Sequence, residues 1–244
     1  MKLISISLFT SSCYISSMVN ALLNNSRVRQ LIENEHQNCP LLKLFKSYLE
    51  VPQASWSVVQ LKQILQDYIV DYNNRNPQHP YDNSVFYNNQ IQQDSPEFFD
   101  ALLKTSEKLK ELFAFETKEL LKCKKCNKPL NINAPNYKNT KLMLYSGEEI
   151  FSTKQLLHDS RHVPAEIPCP TCIPRPPEVN MADTNEVFVS LPEILMMTVN
   201  CWEVVQPFLK KNAIVKPSPK IWIGDKVYVL RSVVQHHGAS KGKY

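Results

Sequence analysis

A chain of 244 residues, 43% hydrophobic and 21% charged, is long enough to bury one sizeable core with or without an attached smaller lobe, and its balance is that of a globular protein. No apolar run approaches the roughly 20 residues needed to cross a bilayer, so no membrane-spanning helix and no membrane partner are expected. The net charge of +5, from 28 Lys+Arg against 23 Asp+Glu, is too modest to point to a polyanionic partner by itself.

The first residues, Met1 to Phe9, alternate Leu or Ile with Ser and read as a half-buried strand rather than as a signal peptide. Helical patterning begins at about Cys13, where Tyr14 or Ile15, Met18 or Val19, and Leu22 or Leu23 fall on one stripe. A thiol at such a helix start sits at the positive end of the dipole, which lowers its pKa and raises the thiolate fraction that a nucleophile needs. The alternative for Cys13 is a small buried hydrophobe, the usual state of a lone free cysteine.

After a break at Asn24-Asn25-Ser26, Val28, Leu31 and Ile32 continue helical spacing to about Glu33, and Pro40 to Leu49 reads as a further short helix ended by Val51-Pro52. Ser57 caps an amphipathic helix carrying Val58, Leu61, Ile64, Leu65, Tyr68, Ile69 and Tyr72 on one face. Residues 73–89, rich in Asn and Pro, read as an irregular loop. Asp94 then serves as N-cap with Glu97 three residues on and Pro96 in the first turn, opening one helix whose buried side runs from Phe98 to Phe113. From Phe113 the pattern alternates, and a narrow, extended sheet lobe is expected between about residues 115 and 180. Glu186 to Leu191 and Ile194 to Val199 read as strands, the second apolar on both faces and hence central. Ile221 to Ile223, a Gly224-Asp225 turn and Lys226 to Leu230 make a hairpin that runs on through Val233-Val234.

Cys123-x2-Cys126 and Cys169-x2-Cys172 carry the strongest chemical signal. Two such pairs can present four thiolates to a tetrahedral Zn²⁺, because two intervening residues let both sulfurs of a pair point at one ion. The 42 residues between the pairs exceed a compact zinc ribbon, so the site would clamp the base of a long excursion; the alternative is a set of unmetallated thiols. Four cysteines of this kind favour a reducing compartment and an intracellular location, cytoplasmic or nuclear. His158 and His162, four apart inside the excursion, either face a metal as well or are surface residues of a polar stretch. Lys118, Lys122, Lys124, Lys125 and Lys128 crowd one cysteine pair; no set of stacking aromatics accompanies them, which argues against nucleic acid as the partner.

Cys13, the Gln92-Gln93-Asp94-Ser95-Pro96-Glu97-Phe98 stretch, the paired CxxC knuckles and the closing run from Val233 to Tyr244 together resemble the ubiquitin-specific protease family, papain-like cysteine deubiquitinases, from about residue 8 onward. The resemblance implies an α+β fold with a helical thumb (about 8–112), zinc-bearing β fingers (about 113–182) and an antiparallel palm sheet (about 183–244, incomplete). It matches Cys13 to the nucleophile, Gln93 and Asp94 to positions that hold the ubiquitin tail, and the four cysteines to the fingers zinc. The reaction implied is hydrolysis of the bond after ubiquitin's C-terminal glycine through a thioester, with ubiquitin or ubiquitinated proteins as partners.

Two positions depart from the family pattern. Leu8 stands five residues before Cys13, where the family carries an Asn that donates to the oxyanion, and losing one such donor costs about 10² to 10³ in rate. Lys243 stands where the family has its base His; a lysine of ordinary pKa near 10.4 is protonated at neutral pH and cannot take the thiol proton. The sequence therefore supports two readings: a thiol hydrolase of weakened activity, and an inactive ubiquitin-binding scaffold.

Overall fold

The structure, a computed structural model, describes residues 13–51, 58–78, 95–131, 133–145, 150–167, 169, 171–172, 181–200 and 214–235, with the backbone alone at 13, 58, 150, 163–166 and 181. These residues divide into two compact units, one drawn from Met1–Leu112 and Arg231–His237, the other from Phe113–Leu230.

The first unit is helical. Helices α1 (Cys13–Leu23), α2 (Ser26–Glu35), α3 (Pro40–Glu50), α4 (Val58–Arg75), α5 (Ser95–Lys104) and α6 (Glu107–Phe113) follow one another along the chain. On α1 the expected stripe is buried in full: Tyr14, Ile15, Met18, Val19, Leu22 and Leu23 are all inside. The Asn24-Asn25 break works through its side chain, since the Arg27 N–H donates to Asn25 Oδ1 at 2.9 Å and so caps α2. Pro40 occupies the first turn of α3, where its missing N–H costs nothing. Leu61, Leu65 and Ile69 of α4 face inward while Val59 and Val70 stay exposed, as the amphipathic reading requires.

The single helix expected over residues 95–112 is broken in two. Thr105 Oγ1 donates to the Leu102 carbonyl at 2.8 Å and ends α5, and Ser106 Oγ accepts the Leu109 N–H at 3.2 Å and caps α6. Because Leu102, Leu103, Leu109 and Phe113 are buried on both sides of the break, the apolar pattern runs through it.

The second unit is built on a sheet of order β2-β1-β6-β5, from β1 (Phe115–Cys123), β2 (Asn136–Asn139), β5 (His162–Glu166) and β6 (Met181–Ser190), all pairs antiparallel. Helix α7 (Thr153–Asp159) leads into β5. Two short parallel pairs, β3 (Leu142–Tyr145) with β7 (Met197–Asn200) and β4 (Ile150–Ser152) with β8 (Ile214–Lys216), and an antiparallel ribbon of β9 (Lys220–Ile223) and β10 (Lys226–Val229) complete it. Phe115, Leu142, Leu144, Leu156, Leu157, Ile221 and Ile223 form its core. Gly224 closes the ribbon at a φ of 60°, a left-handed conformation that a side chain would strain.

Three expectations change here. The strand expected at 194–199 is confined to β7, half-buried and paired with β3 among the described residues, because the chain at Pro192 turns to present its carbonyl to Tyr228 Oη at 2.7 Å and to Lys226 Nζ. The strand expected at 186–191 is the end of the longer β6. Val233-Val234 does not prolong the hairpin: this segment groups with the helical unit, where Ser232 Oγ donates to the Ala21 carbonyl at 3.3 Å. Among the described residues no helix is long and apolar enough to cross a membrane.

Phe98, fully buried on α5, and Trp222, 68% exposed on β9, give a direct contrast. Phe98→Ala is expected to cost about 3–5 kcal/mol in urea unfolding followed by helical circular dichroism, and Trp222→Ala no more than about 0.5 kcal/mol.

Candidate functional site

The cysteine pairs are brought together by β6. Cys123, the last residue of β1, pairs with Ala182, and Ala165 and Glu166 of β5 pair with Ala182 and Met181 from the other side. Strands β1 and β5 therefore end at the same edge of the sheet, flanking the start of β6, and Cys169, three residues beyond Glu166, arrives beside Cys123.

The first knuckle is a tight reversal of the chain. The Cys123 N–H donates to the Lys128 carbonyl at 3.0 Å, the Asn127 N–H to the Cys123 carbonyl at 2.9 Å, and the Leu130 N–H to the Leu121 carbonyl at 2.9 Å. The turn needs one left-handed residue, and Asn127 supplies it at a φ of 59°. Asparagine tolerates that region where most side chains do not.

Cys123 and Cys169 are buried, Cys126 and Cys172 half-buried, and the four sulfurs lie within 4.8 Å of one another, with Cys126 and Cys169 Sγ 3.7 Å apart. A tetrahedral four-thiolate site with metal–sulfur bonds of about 2.3 Å has sulfurs roughly 3.8 Å apart, so the set fits a metal ion. Their electrostatics point the same way. At Cys169 burial pushes the thiol pKa up, but hydrogen bonds from the Cys172 and Thr171 backbone and from Cys123 and Cys126 outweigh it and the net shift is downward. The Cys172 thiol is pushed up, first by its hydrogen bond with Cys126, then by burial and by Cys123. One thiolate is favoured and the next resisted, a conflict that a divalent cation removes. Neither His158 nor His162 belongs to this cluster. Of the lysines around it, Lys124 meets Asp183 at 3.2 Å in an exposed pair of little energetic weight, and Lys122, Lys125 and Lys128 are exposed.

The second feature is the start of α1. Cys13 is its first residue, and Tyr14 meets Phe98 in an edge-to-face contact with ring centroids 5.6 Å apart. Phe98 lies in the first turn of α5, which opens at Ser95 immediately after Gln93-Asp94. The two helix starts are thus neighbours in the first unit. The Cys13 side chain, Leu8, Gln93, Asp94 and Lys243 lie outside the described residues. One feature of α1 escapes a reading by apolar period alone. Ser16, Asn20 and Asn24 follow Cys13 at i+3, i+7 and i+11, on the side of the helix that Cys13 opens, and Ser16 Oγ, Asn20 Oδ1 and Asn24 Oδ1 are buried with no hydrogen-bond partner among the described residues. The signal in sequence is the run of small polar residues at helical spacing from the cysteine.

Residues 5–244 match the family model described as ubiquitin carboxyl-terminal hydrolase. The chain belongs to that family. Its structure is similar to that of the SAGA Ubp8/Sgf11/Sus1/Sgf73 DUB module bound to ubiquitin aldehyde, with a TM-score of 0.62 and 14% identity over 91% of this chain and 52% of the matched one. It is similar also to a substituted Ubp8 in the same module bound to monoubiquitin, with a TM-score of 0.63 and 12% identity over 91% of this chain and 53% of the matched one. At such identities the likeness is one of fold, and this hydrolase-family chain spans about half the length of those it matches. No curated protein sequence matches it significantly. The α+β architecture of the ubiquitin-specific proteases is therefore its fold, and the four clustered cysteines could bind a metal ion.

The left-handed turn at Asn127 yields a test of the knuckle. Asn127→Gly should leave stability within about 0.5 kcal/mol, whereas Asn127→Val should lose about 1–2 kcal/mol or more and release metal at lower chelator concentration, read by thermal unfolding and metal analysis.

Proposed function

We propose that the chain is a ubiquitin-directed thiol hydrolase with slow turnover, Cys13 being its nucleophile and Cys123, Cys126, Cys169 and Cys172 holding a structural Zn²⁺. The observation that carries the reading is the position of Cys13 as the first residue of α1 in a chain matched to the ubiquitin carboxyl-terminal hydrolase family over residues 5–244. A thiolate at the helix start attacks the carbonyl carbon of ubiquitin's last glycine, the bond from that carbon to the amine breaks as the amine takes a proton from water, and a second water hydrolyses the resulting thioester to free the glycine carboxylate and return the thiol. Gln93 and Asp94, just ahead of α5, would hold the tail. The Zn²⁺ has no part in that chemistry: it would tie the ends of β1 and β5 together beside β6.

Leu8 and Lys243 set the rate. Leu8 offers no hydrogen-bond donor to an oxyanion, and a protonated Lys243 favours a thiolate by its charge yet cannot accept the thiol proton as a neutral imidazole does. The same two residues favour a second reading, an inactive ubiquitin-binding scaffold. Four reduced thiols in one cluster suit an intracellular, cytoplasmic or nuclear location under either reading.

A ubiquitin-based covalent probe separates the two. Labelling that disappears in Cys13→Ala supports the hydrolase, and tight ubiquitin binding without labelling supports the scaffold. Under the hydrolase reading Lys243→His raises kcat on a fluorogenic ubiquitin substrate by about 10² or more, the range in which a positioned acid–base operates. Metal analysis after removal of loosely held ions is expected to return one Zn²⁺ per chain, falling well below one in Cys169→Ser.

A further inference from the structure

We propose that His158 and His162 form a second, solvent-facing site for a borderline divalent transition-metal cation, separate from the four cysteines. His158 sits on the last turn of α7 and His162 opens β5, and their rings stack with centroids 4.5 Å apart and planes 22° from parallel. The hydrogen bonds fix which nitrogen of each ring is free. His162 Nδ1 lies 2.7 Å from the His158 carbonyl and His158 Nδ1 lies 3.1 Å from Asp159 Oδ1. A carbonyl and a carboxylate only accept, so both Nδ1 atoms carry the proton and donate, and in the neutral rings both Nε2 atoms present lone pairs.

This is the outer-shell pattern of a metal-binding imidazole, whose second nitrogen donates to a carboxylate or a backbone carbonyl that fixes its tautomer and raises its basicity. The outer shell is itself held: Gln155 Nε2 donates to Asp159 Oδ2 at 3.1 Å and to Oδ1 at 3.4 Å. The nearest fixed cation in sequence is directed elsewhere. Arg161 donates from Nε to the Glu186 carbonyl at 2.7 Å and lies over the Phe188 ring at 4.7 Å, while His162 pairs with Asn185, which projects to the opposite face of β6 from Phe188. His158 is open to solvent, its side chain 71% exposed, so an ion can enter and keep water on its remaining positions. A cation bound at about 2.0–2.1 Å from each Nε2 requires the rings to move out of their stack toward a common point while keeping their Nδ1 hydrogen bonds, with the exposed His158 ring taking most of the movement. Imidazole pairs of this kind suit Ni²⁺, Cu²⁺ and Zn²⁺ rather than Mg²⁺ or Ca²⁺.

Ni²⁺ is the probe. Protein without a histidine tag, saturated with Zn²⁺ and freed of the excess, is titrated with Ni²⁺ by calorimetry, together with His158→Gln, His162→Gln, the double variant and Asp159→Ala. The wild-type chain is expected to take up one Ni²⁺, each single His variant to bind at least tenfold more weakly, Asp159→Ala about tenfold more weakly, and the double variant to lose the event. The cysteine cluster and the other histidines are untouched in all four. Nickel uptake that survives the double substitution, or no uptake by the wild-type chain, overturns the proposal, and neither outcome bears on ubiquitin hydrolysis.

Discussion

The edge-to-face contact between Tyr14 and Phe98 is the constraint on which the reading of the first unit rests. Such a pair adds about 0.5–1.5 kcal/mol beyond the area it buries, but its larger effect is geometric. It sets the first turn of α1 against the first turn of α5, so the helix that begins at Cys13 and the helix that begins at Ser95 start as neighbours. The starts of α1 and α5, two positive helix poles, are brought side by side by burying two aromatic rings. Ser232, tied to the far end of α1 through Ala21, brings the approach to the closing segment into the same unit.

In the second unit the organising element is β6. Its start is flanked on both sides by strands that end at the same level, which is why cysteines 43 residues apart, Cys126 and Cys169, come within 3.7 Å. Sheet register does the positioning, and the Asn127 turn does the local aiming. A metal ion would then oppose what pushes the Cys172 thiol up, its hydrogen bond with Cys126 first, then burial and the neighbouring cysteine charges. The four-thiol cluster and the His158–His162 stack differ in kind: the first has two buried and two half-buried cysteines, enough to fill a tetrahedral ion's positions, and the second has an exposed His158 side chain and room for water.

The parts of this chain legible in the sequence are those governed by local period and local capping. The buried stripe of α1, the Pro40 start of α3, the inward face of α4 and the Gly224 turn all follow from neighbouring residues alone. What was not legible depends on partners distant in the chain or on a single hydrogen bond. The break at Thr105-Ser106 is invisible to an apolar pattern that stays buried across it, and only the capping geometry of Ser106 gives it away. The apolar run at 194–199 looked like a central strand, yet Pro192 serves the β9–β10 ribbon and only Met197–Asn200 pairs, in parallel, with Leu142–Tyr145. Parallel pairing of short strands leaves no local signature. For the site, the CxxC spacing announced the cluster, whereas the polar stripe of Ser16, Asn20 and Asn24 lay hidden because the period was followed through apolar residues alone and Asn24 was read only as part of the break after the helix.

The central proposal is that the helix start at Cys13 raises the thiolate fraction of its sulfur. The direct measurement is the rate of Cys13 alkylation against pH, resolved from the other cysteines by peptide mass spectrometry on zinc-loaded protein. The account predicts a midpoint clearly below the ordinary thiol value of about 8.5, moving up toward it when Phe98→Leu loosens the contact with Tyr14. A midpoint at or above about 8.5 in the unaltered chain would contradict it.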